Sequence, residues 1–243
     1  NFQMLLRNPQ TMPALRNTII ISAWKMALHL LVPVIVSILL NEIRSNAFRR
    51  ISQTLIYLPH FLSWIILAGI MIDLLSPNGG LVNRFLGLFG AEPIFFLGSN
   101  KWFRFTLVFT DVWKEFGFGT IVYLAAITNI DPTQYEAATI DGANRFQRIM
   151  HVTLPNMRMI IVLMMVLSLG NVLNAGFDQV YNMYSEAVYP TGDILDTFIY
   201  RLSFKNGLWG QSAAVSMFKS VVSTLFISVS YLCAYKFADY RVF

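Results

Sequence analysis

The feature that most constrains this chain is a series of five apolar stretches, each about as long as a bilayer is thick. A helix needs about 20 predominantly apolar residues to cross the hydrocarbon core, whereas only 13% of these residues are charged. Roughly 25% would be charged in an ordinary soluble domain. The sequence therefore predicts an all-α polytopic membrane protein. The five stretches are Thr18–Leu40, Thr54–Leu75, Phe105–Thr128, Met159–Phe177 and Ala213–Ala234.

The residue inventory argues against several classes of function. Cys233 is the only cysteine, and the histidines are His29, His60 and His151. A thiolate cluster or an H-E-x-x-H zinc site cannot be built from this set. No block of basic residues indicates nucleic acid binding. The sequence also lacks a convergent nucleophile and base, so an intramembrane enzyme is not predicted.

The distribution of basic residues gives an orientation. Arginine and lysine are denser in Asn41–Gln53, Ile130–Arg158 and Tyr235–Phe243 than in the intervening segments. The positive-inside tendency therefore predicts an external N-terminus and a cytoplasmic C-terminus. Since the sequence opens at Asn1 without a methionine or a signal-peptide pattern, a further helix is expected upstream.

Ionisable and helix-bending residues interrupt the first two stretches. The first contains Lys25, His29 and Pro33, and the second contains Pro59 and His60. Charged groups at bilayer depth usually face a bundle interior or a watery cavity. The alternative is that Lys25 extends outward to the interface and the prolines are ordinary kinks.

The third stretch contains the sequence DVWKEFGFG. Asp111, Lys114 and Glu115 stand three and four residues apart, which places them on one helical face. That face is interpreted either as a wall of a transport pathway, with Trp113 as a stacking surface, or as an internal salt bridge that fixes helix packing. Gly117 and its neighbour Gly119 would allow close helix approach.

The fourth stretch ends in NVLNAGFD. Asn171, Asn174 and Asp178 would share one face of a continuing helix. Amides in hydrocarbon usually bond to a neighbouring helix, but they also suit sugar hydroxyls. Asn174 and Asp178, which lie nearer the outer surface, are the better ligand candidates. The external loop that follows, Asp178–Ser212, is long and rich in tyrosine, and we expect it to dock an external partner.

A polar interval, EAATIDGANRFQRIMHVTLP, separates the third and fourth stretches. Asp131 is a suitable helix cap, Pro132 suits the first turn, and Gln134 occupies the capping-box position. The helix is expected to end near Gly142. A second amphipathic piece should follow, with Pro155 starting the next span. These features predict a cytoplasmic helix-turn-helix held between two membrane helices.

The interval resembles the signature of ATP-binding-cassette (ABC) importer permeases: EAA, three residues, Gly, nine residues, a branched aliphatic, one residue, Leu-Pro. The matching positions are Glu136, Ala137, Ala138, Gly142, Leu154 and Pro155, and Val152 replaces the usual isoleucine. The resemblance implies a type I importer transmembrane domain over residues 1–243, with a five-helix core. It implies a coupling loop at residues 131–155, Asp141 included, that seats in a cytoplasmic ATPase subunit.

The resemblance also implies the rest of the assembly. No G-x-x-x-x-G-K-[ST] phosphate loop occurs in the sequence, so ATP would be bound by an ATPase dimer. The chain itself would be a multi-pass subunit of the bacterial cytoplasmic membrane, with no cofactor and no enzymatic activity. Its other partners would be a second, different permease and an external solute-binding protein.

Further similarities point to a substrate class. The segments DVWKEFGFGTIVYLAAI and FDQVYNMYSEAVYPTGDILDTFIYR resemble permeases that import oligosaccharides, including acidic uronate chains. The alternative function is an ion- or proton-coupled carrier with Asp111, Lys114 and Glu115 as its relay. Such carriers usually show internal repeats, and none is evident.

Overall fold

The computed structural model describes residues 8–238, with side chains described as far as residue 229, so Cys233 and most of the C-terminal segment lie outside the described side chains. The part of the chain that the structure describes is helical and contains no β-strand. Its α-helices are α1 (Thr11–Asn41), α2 (Asn46–Tyr57), α3 (Trp64–Leu74), α4 (Leu81–Gly87), α5 (Phe103–Thr128), α6 (Pro132–Ile140), α7 (Arg145–Arg148), α8 (Leu154–Leu169), α9 (Phe177–Met183), α10 (Tyr189–Gly192), α11 (Leu195–Tyr200) and α12 (Trp209–Ala238).

The described residues form two compact units. The first comprises the described residues up to Lys25, then Leu62–Asp111 and Gly170–Ser228. Its larger core cluster is centred on fully buried side chains that include Phe103 and Ile194. The polar and aromatic contacts of this unit hold residues 178–212, which the sequence predicts to be external and which are termed the external segment.

The second unit comprises Met26–Phe61, Val112–Leu169 and the described residues from Val229 onward. Tyr123, Ile127 and Met157 form its buried cluster. Gly117 permits the close approach expected from the sequence, since a Cβ there would lie 1.9 Å from the carbonyl oxygen of Ile56. A side chain at this position would therefore push α5 away from the end of α2.

Within the described residues, three helical segments are long and apolar enough to cross a membrane, or four if one broken pair counts as a span. The three are Thr11–Asn41, Arg145–Leu169 and Trp209–Val229. Helix α5 has sufficient length, but every stretch of 18 residues within it contains the charged residues Asp111, Lys114 and Glu115. The predicted third span is thus a helix with charges at its middle.

The second predicted span is not one continuous helix. The amphipathic α2 ends at Tyr57, a 3-10 turn covers Leu58–Phe61, and α3 begins only at Trp64. Pro59 provides the physical reason, because its ring removes a backbone donor and clashes with the preceding turn. Ser63 then caps α3 by accepting a hydrogen bond from the backbone of Ile66. The predicted span Thr54–Leu75 is therefore broken near Pro59, and its two helices count as one span only if the break is included.

The fourth predicted span is also displaced. Helix α8 ends at Leu169, and Gly176, with a φ of +88°, precedes a separate helix, α9. Asn171 and Asn174 lie in the turn between them, so they do not share a helical face with Asp178. The expected external loop is also largely helical, containing α9, α10, α11 and the π-helical segment Arg201–Lys205. Buried apolar side chains within this segment stabilise it by packing. The sequence pattern had not predicted this packing.

Candidate functional site

The first helix of the coupling loop, α6, begins as its sequence predicts. The Asp131 side chain accepts a hydrogen bond of 2.9 Å from the backbone N–H of Thr133, and Pro132 occupies the first turn. This hydrogen bond lowers the pKa of the Asp131 carboxyl group, because it favours the charged form. The cap therefore fixes where α6 starts.

The end of α6 is a Schellman turn built on Gly142, whose φ is +77°. The backbone N–H of Ala143 donates to the carbonyl of Ala138 at 2.9 Å, and that of Gly142 donates to Thr139 at 3.1 Å. A Cβ at Gly142 would meet nothing within 4 Å inside the chain. The positive φ, rather than crowding within this chain, makes glycine the preferred residue.

The second helix of the loop starts from a reciprocal capping box. Asn144 accepts from the backbone of Gln147 at 2.9 Å, and Gln147 accepts from the backbone of Asn144 at 2.8 Å. The chain then continues without a break through the π-helical residues Ile149–Thr153 into α8. The sequence predicted that the span starts at Pro155, whereas the continuous helix starts at Arg145. The wider π turn accommodates the missing N–H of Pro155.

Side-chain contacts fasten α6 to this continuous helix. The Tyr135 hydroxyl lies 3.0 Å from the Thr153 hydroxyl, and Arg148 donates to Thr139 at 3.3 Å. Gln134, expected to complete a capping box, instead accepts a hydrogen bond of 2.8 Å from Asn156. Motion of the loop is consequently tied to motion of α8.

The outer surface of the loop combines apolar and charged groups. Ile140 is 87% exposed and Phe146 is 69% exposed, although both are large apolar side chains. A groove of about 380 Å³ includes Ile140 in its wall and is lined by Tyr135, Glu136, Thr139, Ile140 and Arg148. Among the other signature residues, Ala137, Asp141, Gly142 and Pro155 are exposed, whereas Ala138 and Leu154 are half-buried. Exposed apolar side chains among charged ones are typical of interaction surfaces.

The charged residues of α5 have different partners. In the first unit, Asp111 lies 3.2 Å from Lys25, and both are buried. Lys25 Nζ also donates to the carbonyl of Ala175 at 2.8 Å and to Gln179 Oε1. Gln179 Nε2 in turn donates to the carbonyl of Leu107 at 2.8 Å. This network ties three parts of the first unit together and excludes the outward orientation of Lys25.

In the second unit, Lys114 and Glu115 support the break between α2 and α3. Lys114 Nζ donates to the carbonyl of His60 at 2.8 Å and to Glu115 Oε1 at 2.7 Å. The other Glu115 oxygen lies 2.7 Å from His60 Nδ1. The His60 ring stacks on Phe118 with centroids 4.1 Å apart. A backbone carbonyl freed by the break is thus satisfied by an ammonium group.

The remaining candidate residues are more accessible. Trp113 is 38% exposed, and Asn174 and Asp178 are exposed as well. The side chain of Asn174 accepts from the backbone of Gly176 at 3.4 Å, which fits a turn. Asp178 occupies the first turn of α9, where its charge complements the helix dipole.

Sequence reasoning missed a second buried network, in the external segment. Arg201 forms an ion pair with Asp193, and both side chains are nearly buried. Its guanidinium also lies 4.5 Å from the centre of the Tyr189 ring. Asn17 donates to the carbonyl of Asp193 at 3.0 Å and accepts a hydrogen bond from Arg104. Opposite charges eight residues apart in an assumed loop carried no clear signal of this pairing.

Comparisons with known proteins find relatives that match most of the chain. The family profile described as "Binding-protein-dependent transport system inner membrane component" matches residues 29–242. The polygalacturonan/rhamnogalacturonan transport system permease protein YteP of Bacillus subtilis (strain 168) is 37% identical over 243 residues, covering 100% of this chain and 76% of its own length. Protein LplB of the same organism is 38% identical over 242 residues, with coverage of 100% and 76%.

A solved structure is similar over nearly the whole chain. It is a bacterial ABC transporter involved in the import of the acidic polysaccharide alginate, with a TM-score of 0.92 and 35% identity. The match covers 97% of this chain and 82% of that one. The same scores hold for that transporter in complex with an alginate pentasaccharide-bound periplasmic protein. Together with the signature loop, these matches establish that the chain belongs to the binding-protein-dependent transport system inner membrane components.

Proposed function

We propose that the chain is a permease subunit of a bacterial ABC importer that carries an oligosaccharide, acidic chains included, across the cytoplasmic membrane. As a permease it is a transport subunit and not an enzyme. The geometry of the coupling loop carries this proposal. A capped helix, a Schellman turn and a continuous helix into α8 present exposed Ile140 and Phe146 for docking.

The loop is suited to act as a lever. The contacts of Tyr135 and Gln134 hold α6 against the helix that leads into α8. A force on the exposed face of α6 would therefore be transmitted to a membrane helix rather than dissipated in a flexible connector. ATP would be bound and hydrolysed by a separate ATPase dimer, and the permease itself would need no cofactor.

The substrate and the remaining partners are proposed from the relatives. One relative is named for polygalacturonan and rhamnogalacturonan transport, and the similar solved transporter imports alginate. That transporter also occurs in complex with a loaded periplasmic protein. We infer that this chain receives an acidic oligosaccharide from an external solute-binding protein. It would work beside a second, different permease as a multi-pass protein of the cytoplasmic membrane.

The candidate pathway residues divide into two roles. Trp113, Glu115, Asn174 and Asp178 are at least partly accessible and remain the proposed ligand contacts. Asp111 and Lys114 are buried in polar networks, so we assign them to holding the helices that shape the pathway.

The test is purification of the intact complex from its native host, followed by reconstitution into liposomes. The proposal predicts a co-purifying ATPase, and oligosaccharide uptake that requires ATP and the loaded binding protein. Uptake driven by an imposed ion gradient without ATP would instead establish the secondary carrier.

A further inference from the structure

The external segment carries a row of aromatic side chains that the proposed coupling mechanism does not use. Phe177 and Tyr181 stack on α9 with centroids 5.3 Å apart, and Tyr181 meets Tyr200 at 4.8 Å. Tyr200 continues to Phe204 at 5.1 Å. These four residues are termed the aromatic row. Phe204 is exposed, and the other three are partly exposed.

The row is held by packing on its other side. Gln179 and Val180 of α9 are fully buried, as is Phe198 of α11, and Leu202 in the π segment is nearly so. The two helical elements thus use one face for the core of the first unit and keep the aromatic row at the surface. The rings are fixed in relation to one another before any ligand arrives, which lowers the entropic cost of binding.

Polar groups of both signs surround the row. The Tyr181 hydroxyl donates to the Tyr200 hydroxyl at 3.2 Å. Exposed Lys205 directly follows Phe204 at the end of the π-helical segment. A positive charge is thus carried by the residue immediately after the row. Asp178, next to Phe177, is exposed in the first turn of α9.

This combination fits one kind of ligand better than the alternatives. Lipid chains would gain from the rings but would meet charged groups that are costly in hydrocarbon. A uronate sugar offers an apolar C–H face for the rings, hydroxyls for Asp178 and the tyrosines, and a carboxylate for Lys205. We propose that the aromatic row with Lys205 is a subsite for an acidic saccharide unit, an inference that rests on the proposed import function.

The test measures direct binding to the assembled complex in lipid nanodiscs, without binding protein. The probes are a trigalacturonate and the neutral maltotriose, with calorimetry as the readout. Lys205→Gln should weaken trigalacturonate binding about threefold to fivefold and leave maltotriose unchanged. Tyr200→Leu should weaken trigalacturonate binding about threefold to tenfold, since it removes one stacking ring.

Matched controls separate this role from general effects on the first unit. Lys101 is an exposed lysine, and Phe89 is a 76% exposed aromatic residue in contact with Phe85. Lys101→Gln and Phe89→Leu should leave binding of both sugars unchanged. Thermal melting of every complex shows whether the variants are folded, and Lys205→Gln changes the charge of an exposed side chain.

Three results would overturn the subsite. If the Lys205→Gln complex binds trigalacturonate as tightly as the unsubstituted complex does, Lys205 does not recognise the carboxylate. In a parallel titration of the same complexes with loaded binding protein, a loss confined to its docking would make the row a protein-docking surface. An unsubstituted complex that shows no ATP-dependent uptake would defeat the proposed function itself, and the subsite with it.

Discussion

The external segment of the first unit and the coupling loop of the second distribute polarity in opposite ways. In the external segment, charged and amide groups such as Arg201, Asp193 and Gln179 are buried and paired. In the coupling loop, the large apolar groups Ile140 and Phe146 are exposed. Both segments lie between long helices, yet one is stabilised inside the chain, whereas the other leaves apolar surface for a partner.

Substitutions in the two segments should therefore have different effects. A buried ion pair that loses one partner leaves an uncompensated charge, which is strongly destabilising. An exposed apolar side chain contributes little to the free energy of unfolding of its own chain, because it packs against few neighbours. Substitutions in the external network should therefore reduce folding, and those in the coupling loop should reduce coupling in a folded complex.

The largest effect is expected from Lys25→Met. It should lower the free energy of unfolding by about 3–5 kcal/mol, because Asp111 would be left buried without this ion-pair partner. The measurement is the melting temperature and yield of the purified complex. The double variant Lys25→Met/Asp111→Leu should regain part of the loss. If the Lys25→Met variant is as stable as the unsubstituted complex, this ion pair does not stabilise the fold.

Lys114→Met should have an intermediate effect of about 1–3 kcal/mol, because the carbonyl of His60 loses a charged donor. Melting temperature and trigalacturonate binding are to be measured together, with exposed Lys101→Met as the control. We expect a lower melting temperature and an unchanged affinity of each folded complex for trigalacturonate. Weaker binding at full stability would instead place Lys114 in contact with the sugar.

Gly142→Asp should cost only about 1 kcal/mol of stability, from its left-handed backbone, but should abolish uptake. Gly90 provides a matched control, because its φ is +78° and a Cβ there also meets nothing within 4 Å. Gly90→Asp should show a similar small loss of stability with near-normal uptake. Equal uptake by the two variants would reduce the coupling loop to a connector.

The sequence predicted the start and the end of α6 because their determinants are local. Caps and a left-handed glycine act within a few residues, so Asp131, Pro132 and Gly142 had the expected roles. The membrane segments were predicted less well. Apolar composition does not show where a helix stops, and Pro59 and the turn before Gly176 divide runs that look continuous.

The long-range pairs could not have been predicted from spacing. Helical periodicity placed Asp111 with Lys114 and Glu115, whereas Asp111 pairs with Lys25, which lies far away in sequence. The buried face of α9 was missed for a related reason. Gln179 of α9 is buried because it forms a hydrogen bond with a backbone group elsewhere in the first unit. The sequence alone does not identify a partner so far away in the chain.

The most direct test of the central claim is the ATPase activity of the reconstituted Ile140→Asp complex, with and without loaded binding protein. Ile140 is 87% exposed, so melting temperature should not change, while stimulation by the loaded protein and uptake should be lost. Leu88→Asp is the control, since Leu88 is 81% exposed outside the loop, and it should retain both activities. Normal stimulation and uptake in Ile140→Asp would contradict the conclusion that this surface receives the ATPase.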